Sequence, residues 1–218
     1  MPILLTNTEE TPILTADGYP LIGVCEITES WQDMLKRFPE KPYGLNEIKS
    51  DKRKQEWLAV RLLLKHLAGP DKYIIYKENG APALQNSPLN ISISHTTGYA
   101  AIILSKNQNP GIDIEYLSGR AWKLREKFLG EDELRMLIPS DEKSGSNTNI
   151  STICWCAKET AFKALQQTGV DFIEHLHIEP FALSKKGVLK LKETKTPQQQ
   201  TFDINYQIAE NYIITWKE

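Results

Sequence analysis

The chain has 218 residues, 40% of them hydrophobic and 25% charged, which is the composition of an ordinary folded domain or pair of domains and excludes a disordered or fibrous chain. A formal net charge of −2 excludes bulk attraction to nucleic acid or to an anionic membrane, so any anion must be met by a local cluster. The start, MPILLTNTEE, has no basic segment ahead of its short apolar run, and no stretch approaches the length of a bilayer span, so a cytoplasmic protein is expected.

In chain order, strands are predicted at Ile3 to Leu5 and Leu21 to Ile27, then a short helix around Ser30 to Phe38 with Ser30 as its N-cap. The run from Ser50 to Leu67 is basic early and places Leu58, Leu62 and Leu63 at helical spacing, and Gly69-Pro70 stops it. A strand at Tyr73 to Tyr76 and an Asn79-Gly80 turn follow. In LNISISH, Ile91 and Ile93 alternate with Ser92 and Ser94 as in a half-buried strand, whereas YAAIILS is apolar throughout, as expected of a strand covered on both faces. Asn109-Pro110-Gly111 is the boundary signal, dividing the chain into 1–109 and 110–218. Beyond the strand GIDIEYL come helical patterns at Ala121 to Phe128 and Asp132 to Leu137, and a polar stretch, Pro139 to Asn149, expected as a mobile loop. A helix from about Ser151 to Gln167, ended by Gly169, leads into strands near Leu176 to Ile178, Val188 to Leu191, Phe202 to Ile208 and Tyr212 to Trp216. Both halves read as α+β, mixing helices with antiparallel strands. The three cysteines, Cys25, Cys154 and Cys156, cannot all pair and are read as reduced.

Two segments carry chemistry. In GIDIE, Asp113 and Glu115 lie two apart on a strand and share a face. Like charges held that close raise each other's pKa unless a cation sits between them, and Mg²⁺, which takes oxygen ligands and shares itself with phosphates, suits the pair. The same pentapeptide also suits a solvated face on an edge strand. In WCAKETAFKAL, an advance of about 100° per residue puts Lys158, Glu159, Phe162 and Gln166 within about 60° of Trp155, with Lys163 on the flank. Glu159 and Lys163 alone could be a helical ion pair worth about 0.2 to 0.5 kcal/mol, but that leaves Trp155 and Phe162 on the charged face unexplained. The face is therefore expected to line a cleft.

GIDIE followed some forty residues later by WCAKETAFK resembles the paired signature of the phosphopantetheinyl transferase superfamily, G-[IV]-D-x-E and then W-x-x-K-E-x-x-x-K. FLGEDEL resembles the family's phenylalanine-to-glutamate segment, with Phe128 and Glu133 on its positions, and NISISHTTGYAAI its serine-histidine turn. The resemblance runs from about Arg53 to Lys163. With the chain length, it implies the monomeric type of two similar subdomains, each a small antiparallel sheet packed with helices and related by a pseudo-twofold.

It further implies transfer of 4′-phosphopantetheine from coenzyme A to a serine of an apo carrier protein. Asp113, Glu115 and Glu159 would be the Mg²⁺ ligands, Lys158 and Lys163 would hold the diphosphate, and Ser94 and His95 would contact the coenzyme A phosphates. Arg61 would lie near the nucleotide, and Glu159 would be the base, with Lys158 stabilising developing charge. Where comparable members read glycine-lysine-proline, this chain has Gly80-Ala81-Pro82, so either coenzyme A is held less tightly or a neighbour such as Lys77 supplies the missing charge. A carrier-binding module that has lost catalysis is the alternative, against which the intact Asp113, Glu115, Lys158, Glu159 and Lys163 stand.

Overall fold

The apolar side chains of the computed structural model, which describes residues 1, 3–5 (backbone only), 18–138, 140 and 143–218, gather into two separate cores, and the chain divides accordingly into Met1–Gln108 and Asn109–Glu218. Each unit is α+β, an antiparallel sheet carrying one long helix.

In the first unit, strands β1 (Ile3–Leu5), β2 (Leu21–Glu26), β5 (Asn90–Thr96) and β6 (Tyr99–Ser105) form a sheet in the order β1-β2-β6-β5. Every residue of β6 is buried, as its unbroken apolar run requires of a central strand. Helix α2 (Asp51–Ala68) covers it, starting where the Ser50 side chain accepts from the Arg53 amide and placing Leu58, Leu63 and Leu64 in the core. The helix sits so close to β2 that a Cβ on Gly23 would lie 2.8 Å from the Leu67 side chain. The short α1 (Trp31–Leu35) is capped by Ser30, which accepts from the Asp33 amide at 3.2 Å. A separate two-stranded ribbon pairs β3 (Ile74–Tyr76) with β4 (Pro82–Leu84). β4 has no signal in the sequence, because its proline marks a strand only at an edge.

In the second unit the sheet runs β7-β11-β10-β9-β8, built from β7 (Gly111–Tyr116), β8 (Leu176–Ile178), β9 (Lys186–Glu193), β10 (Thr201–Ile208) and β11 (Tyr212–Lys217). α3 (Arg120–Leu124) runs into a 3₁₀ turn over Arg125–Lys127 in place of one continuous helix to Phe128, and α4 is Glu131–Leu137.

The long helix α5 spans Gly145–Leu165 and packs across β7 and β11. It starts six residues before the sequence pattern suggested, inside the stretch expected as a mobile loop. The reason is polar: Ser144 caps it through the Asn147 amide at 3.0 Å, while the Thr148, Ser151 and Thr152 hydroxyls each donate to the carbonyl four residues back at 2.8 Å. A polar segment without apolar periodicity thus enters the helix with a cap at its start and its hydroxyls satisfied by the turn behind. The rest of that expectation, at Pro139, Asp141 and Glu142, lies outside the described residues. At its other end, Gln166 adopts the left-handed conformation with φ of 50° and stops the helix before Gly169. Among the described residues, no helix is long and apolar enough to cross a membrane.

Candidate active site

β7 and α5 meet at Gly111. A Cβ there would fall 2.2 Å from the Thr160 carbonyl oxygen, so only glycine lets the helix backbone come this near the strand. A buried hydroxyl pair, Thr160 with Thr215 of β11 at 2.7 Å, fixes the height of the helix over the sheet. Thus α5 is set with Glu159 and Lys163 beside Asp113.

Lys163 straddles the two elements, donating to the Asp113 carboxylate at 2.8 Å and to the Ile112 carbonyl at 2.9 Å. Asp113 is buried, whereas Glu115 is half-buried. The strand stands at the edge of its sheet, yet its face is not solvated, and Ile112 and Ile114 on the other face are buried as well. Glu159 has its carboxyl pushed up to about 7, first by burial and then by the Asp113 charge, with Glu115 adding to the rise and Lys163 opposing it. Cys156 lies beneath: burial, then the Asp113 and Glu115 charges, hold its thiol well above the ordinary range, so it stays protonated.

Three carboxylates, two of whose charges raise the proton affinity of the third, with a single ammonium among them, are an oxygen-rich donor set of the kind a hard divalent cation relieves. Among the described residues no three acidic, histidine or cysteine side chains are gathered closely enough to hold a metal ion as they stand.

Lys158 departs from the expected role. It is 0% exposed, and its ammonium donates to Glu133 at 2.6 Å and to the carbonyls of Phe128 at 2.8 Å and Phe172 at 2.9 Å. All three protons are used, so none is left for a diphosphate. Glu133 in turn accepts from the Gly130 amide at 3.1 Å and the Ile178 amide at 2.8 Å. Lys158 thus ties α5 to the start of α4, to β8 and to the segment after α5. The reason is that Phe128 and Phe172 lie over the face of α5 expected to be open: Phe128, Trp155, Phe172 and Phe162 stack in sequence with ring centroids 5.2, 5.7 and 6.0 Å apart. What remains open is a hollow of about 350 Å³ lined by Glu115, Arg120, Leu124, Lys127 and Trp155.

In the first unit, Ser94 is buried near the end of β5, and His95 stands at the β5–β6 turn. His95 Nδ1 lies 3.3 Å from Glu56 of α2, and its Nε2 meets Arg53. Arg53 also reaches Glu56 at 3.4 Å. Arg53 and Glu56 are thus companions of His95 that sequence did not identify; helical spacing puts both on one face of α2, but only the fold brings β5 there. Arg61 lies about two turns further along α2, stacked on Trp57 with the guanidinium carbon 3.1 Å from the ring centroid and hydrogen-bonded to the Trp57 carbonyl at 3.2 Å. Ala81 bonds through its backbone, donating to Asn79 at 3.1 Å and accepting from the Lys77 amide at 2.9 Å, while the Lys77 side chain is exposed beside it.

The description of the 4′-phosphopantetheinyl transferase superfamily matches residues 109–217. The chain is 40% identical over 145 residues to the 4′-phosphopantetheinyl transferase AcpT of Escherichia coli O157:H7, covering 62% of this chain and 72% of that protein. It has the same identity and coverage with AcpT of Escherichia coli K12. Against AcpT of Salmonella typhi it is 36% identical over 69 residues, which are 31% of this chain and 36% of the relative.

Proposed function

The chain belongs to the 4′-phosphopantetheinyl transferase superfamily, and from that premise we propose how its own residues carry the reaction. It transfers the 4′-phosphopantetheine group to a carrier protein, with coenzyme A as donor. The serine hydroxyl oxygen of the carrier attacks the β-phosphate of coenzyme A; the bond between that phosphorus and the bridging oxygen breaks, and adenosine 3′,5′-bisphosphate leaves with the electron pair. Asp113, Glu115 and Glu159 are the Mg²⁺ ligands in this reading. The ion, when bound, supplies charge neutralisation at the diphosphate.

Glu159 takes the serine proton. The observation that carries the assignment is its position, enclosed beside Asp113 and Glu115 where the ion and the diphosphate would meet; with no ion bound, burial and those charges push its carboxyl up to about 7. Lys163, held within reach of Asp113, is the cation available to the diphosphate, and the role first given jointly to Lys158 falls to it alone. Ser94 and His95, with Arg53, meet the coenzyme A phosphates, and Lys77 stands in for the lysine absent at Ala81. The carrier protein is received by the region from Phe128 to Leu137. The protein works as a monomer in the cytoplasm, with no nucleic acid or membrane partner.

The test is intact-mass spectrometry of an apo acyl carrier protein incubated with the protein, coenzyme A and Mg²⁺, with an EDTA control. A phosphopantetheine increment that EDTA removes is expected. No increment on several carrier proteins would leave the carrier-binding reading in its place, and full transfer by Glu159→Gln would remove Glu159 as the base.

A further inference from the structure

Glu56 sits on α2 where the helix passes the end of β5, with its side chain only 10% exposed. His95 Nδ1 lies 3.3 Å from its carboxylate, Arg53 3.4 Å and Lys52 3.9 Å. These are the charged groups that α2 brings to the ring. β4 brings no titratable side chain. Tyr99 of β6 points to the other face of the sheet, because His95 pairs with Ala100 and successive side chains of a strand alternate. A carboxylate held out of water beside a histidine does more than tie a helix to a strand, since it also decides which ring nitrogen carries a proton.

An ionised carboxylate can only accept and a guanidinium can only donate. Glu56 therefore selects the ring with its proton on Nδ1, and Arg53, which meets Nε2, needs the lone pair on that nitrogen. Both neighbours choose the same tautomer. An ionised phosphate oxygen also only accepts, so Nε2 can bond it only after taking up a proton. The imidazolium that results keeps its other N–H on Glu56 in a charge-assisted bond, which fixes the ring plane and leaves Nε2 for the ligand.

We propose that Glu56 is a positioning residue of the donor site, holding His95 with its proton on Nδ1 and stabilising the charged ring when a phosphate of coenzyme A takes the place of Arg53 at Nε2. Arg53 is thereby freed to donate to the same phosphate. The proposal rests on the transferase reading for the identity of the ligand. An opposite charge this close raises the pKa of a histidine by about one unit or more. If the ring must be charged to bind, one unit is about a tenfold change in affinity above both titrations and no change below them.

The test measures Kd for coenzyme A by isothermal titration calorimetry in Mg²⁺ from pH 6 to pH 8.5, for wild type and Glu56→Gln, with melting temperatures to show that the variant is folded. Expected is a Kd about tenfold weaker in the variant at pH 8.5 and within about twofold of wild type at pH 6, a convergence that a merely structural loss would not give. Nitrogen-15 spectra of the histidine rings at pH 8.5, with His95 picked out from the four histidines by its absence in His95→Gln, should show the Nδ1–H form in free wild type. Parallel pH profiles for wild type and variant, an unchanged or tighter Kd at pH 8.5, or a wild-type ring protonated on Nε2 would each overturn the proposal. The ring spectrum needs no variant at Glu56 to fold and no ligand to bind. If wild type binds no coenzyme A, that failure belongs to the transferase reading, and the tautomer still decides whether Glu56 sets the ring.

Discussion

Replacing Lys158 by methionine removes an ammonium that is entirely enclosed and bonded to Glu133, Phe128 and Phe172. Methionine fills nearly the same volume, so the loss is electrostatic. Removing one partner of a buried pair costs about 3 to 5 kcal/mol, because the other charge is left uncompensated. Glu133 keeps two amide donors, from Gly130 and Ile178, which places the expected loss near the lower end, about 3 kcal/mol. With a urea m-value of about 2 kcal/mol per M, that is a fall of about 1.5 M in the unfolding midpoint. Circular dichroism across a urea series, with and without Mg²⁺, reads it. Adding Glu133→Gln should recover part of the loss, since the orphaned charge goes while an acceptor for the Ile178 amide stays. At temperatures where Lys158→Met is folded, KM for coenzyme A should stay within about twofold. An unchanged midpoint with transfer abolished would refute the reasoning and return Lys158 to the diphosphate.

In the metal-free protein, burial and the Asp113 charge push the Glu159 carboxyl up to about 7 from its ordinary 4.5. A raised acid stabilises below the unfolded value, and that contribution is lost as pH rises through about 7. Glu159→Gln should therefore stabilise the metal-free protein at pH 8 by up to about 3 kcal/mol and do little at pH 4.5; thermal melts in EDTA at both pH values measure the difference, and a destabilised variant at pH 8 would count against it. Gly111→Ala drives a methyl into the Thr160 carbonyl and should cost about 1 to 3 kcal/mol, with transfer falling further than stability because α5 is displaced from Asp113; urea midpoints beside kcat/KM show both. Thr160→Val breaks the hydroxyl pair with Thr215 and should lower stability by about 1 to 2 kcal/mol, read from the same denaturation curves. Removal of Mg²⁺ with EDTA should abolish transfer while far-ultraviolet circular dichroism is unchanged, since both cores form from apolar contacts.

The sequence by itself determined the elements whose signals are local. Ser30 caps α1 through its own side chain, YAAIILS has nowhere to go but the centre of a sheet, and Asp113 and Glu115 share a strand face by the two-residue repeat of any strand. The order of GIDIE and WCAKETAFK carried the family for the same reason, as a pattern along one chain. Tertiary structure decided what depends on distant residues meeting. Helical geometry placed Lys158 and Lys163 near one face of α5, yet nothing in their spacing says that Phe128 and Phe172 cover Lys158 and that Glu133 neutralises it, while Asp113 receives Lys163. The start of α5 escaped the apolar pattern because its first turns are polar, capped by Ser144 with their hydroxyls satisfied by the turn behind, and such bonds leave no periodicity to read. The partnership of His95 with Arg53 and Glu56 was hidden in the same way, since it joins a strand end to a helix some forty residues earlier, and only packing of α2 on the sheet brings them together.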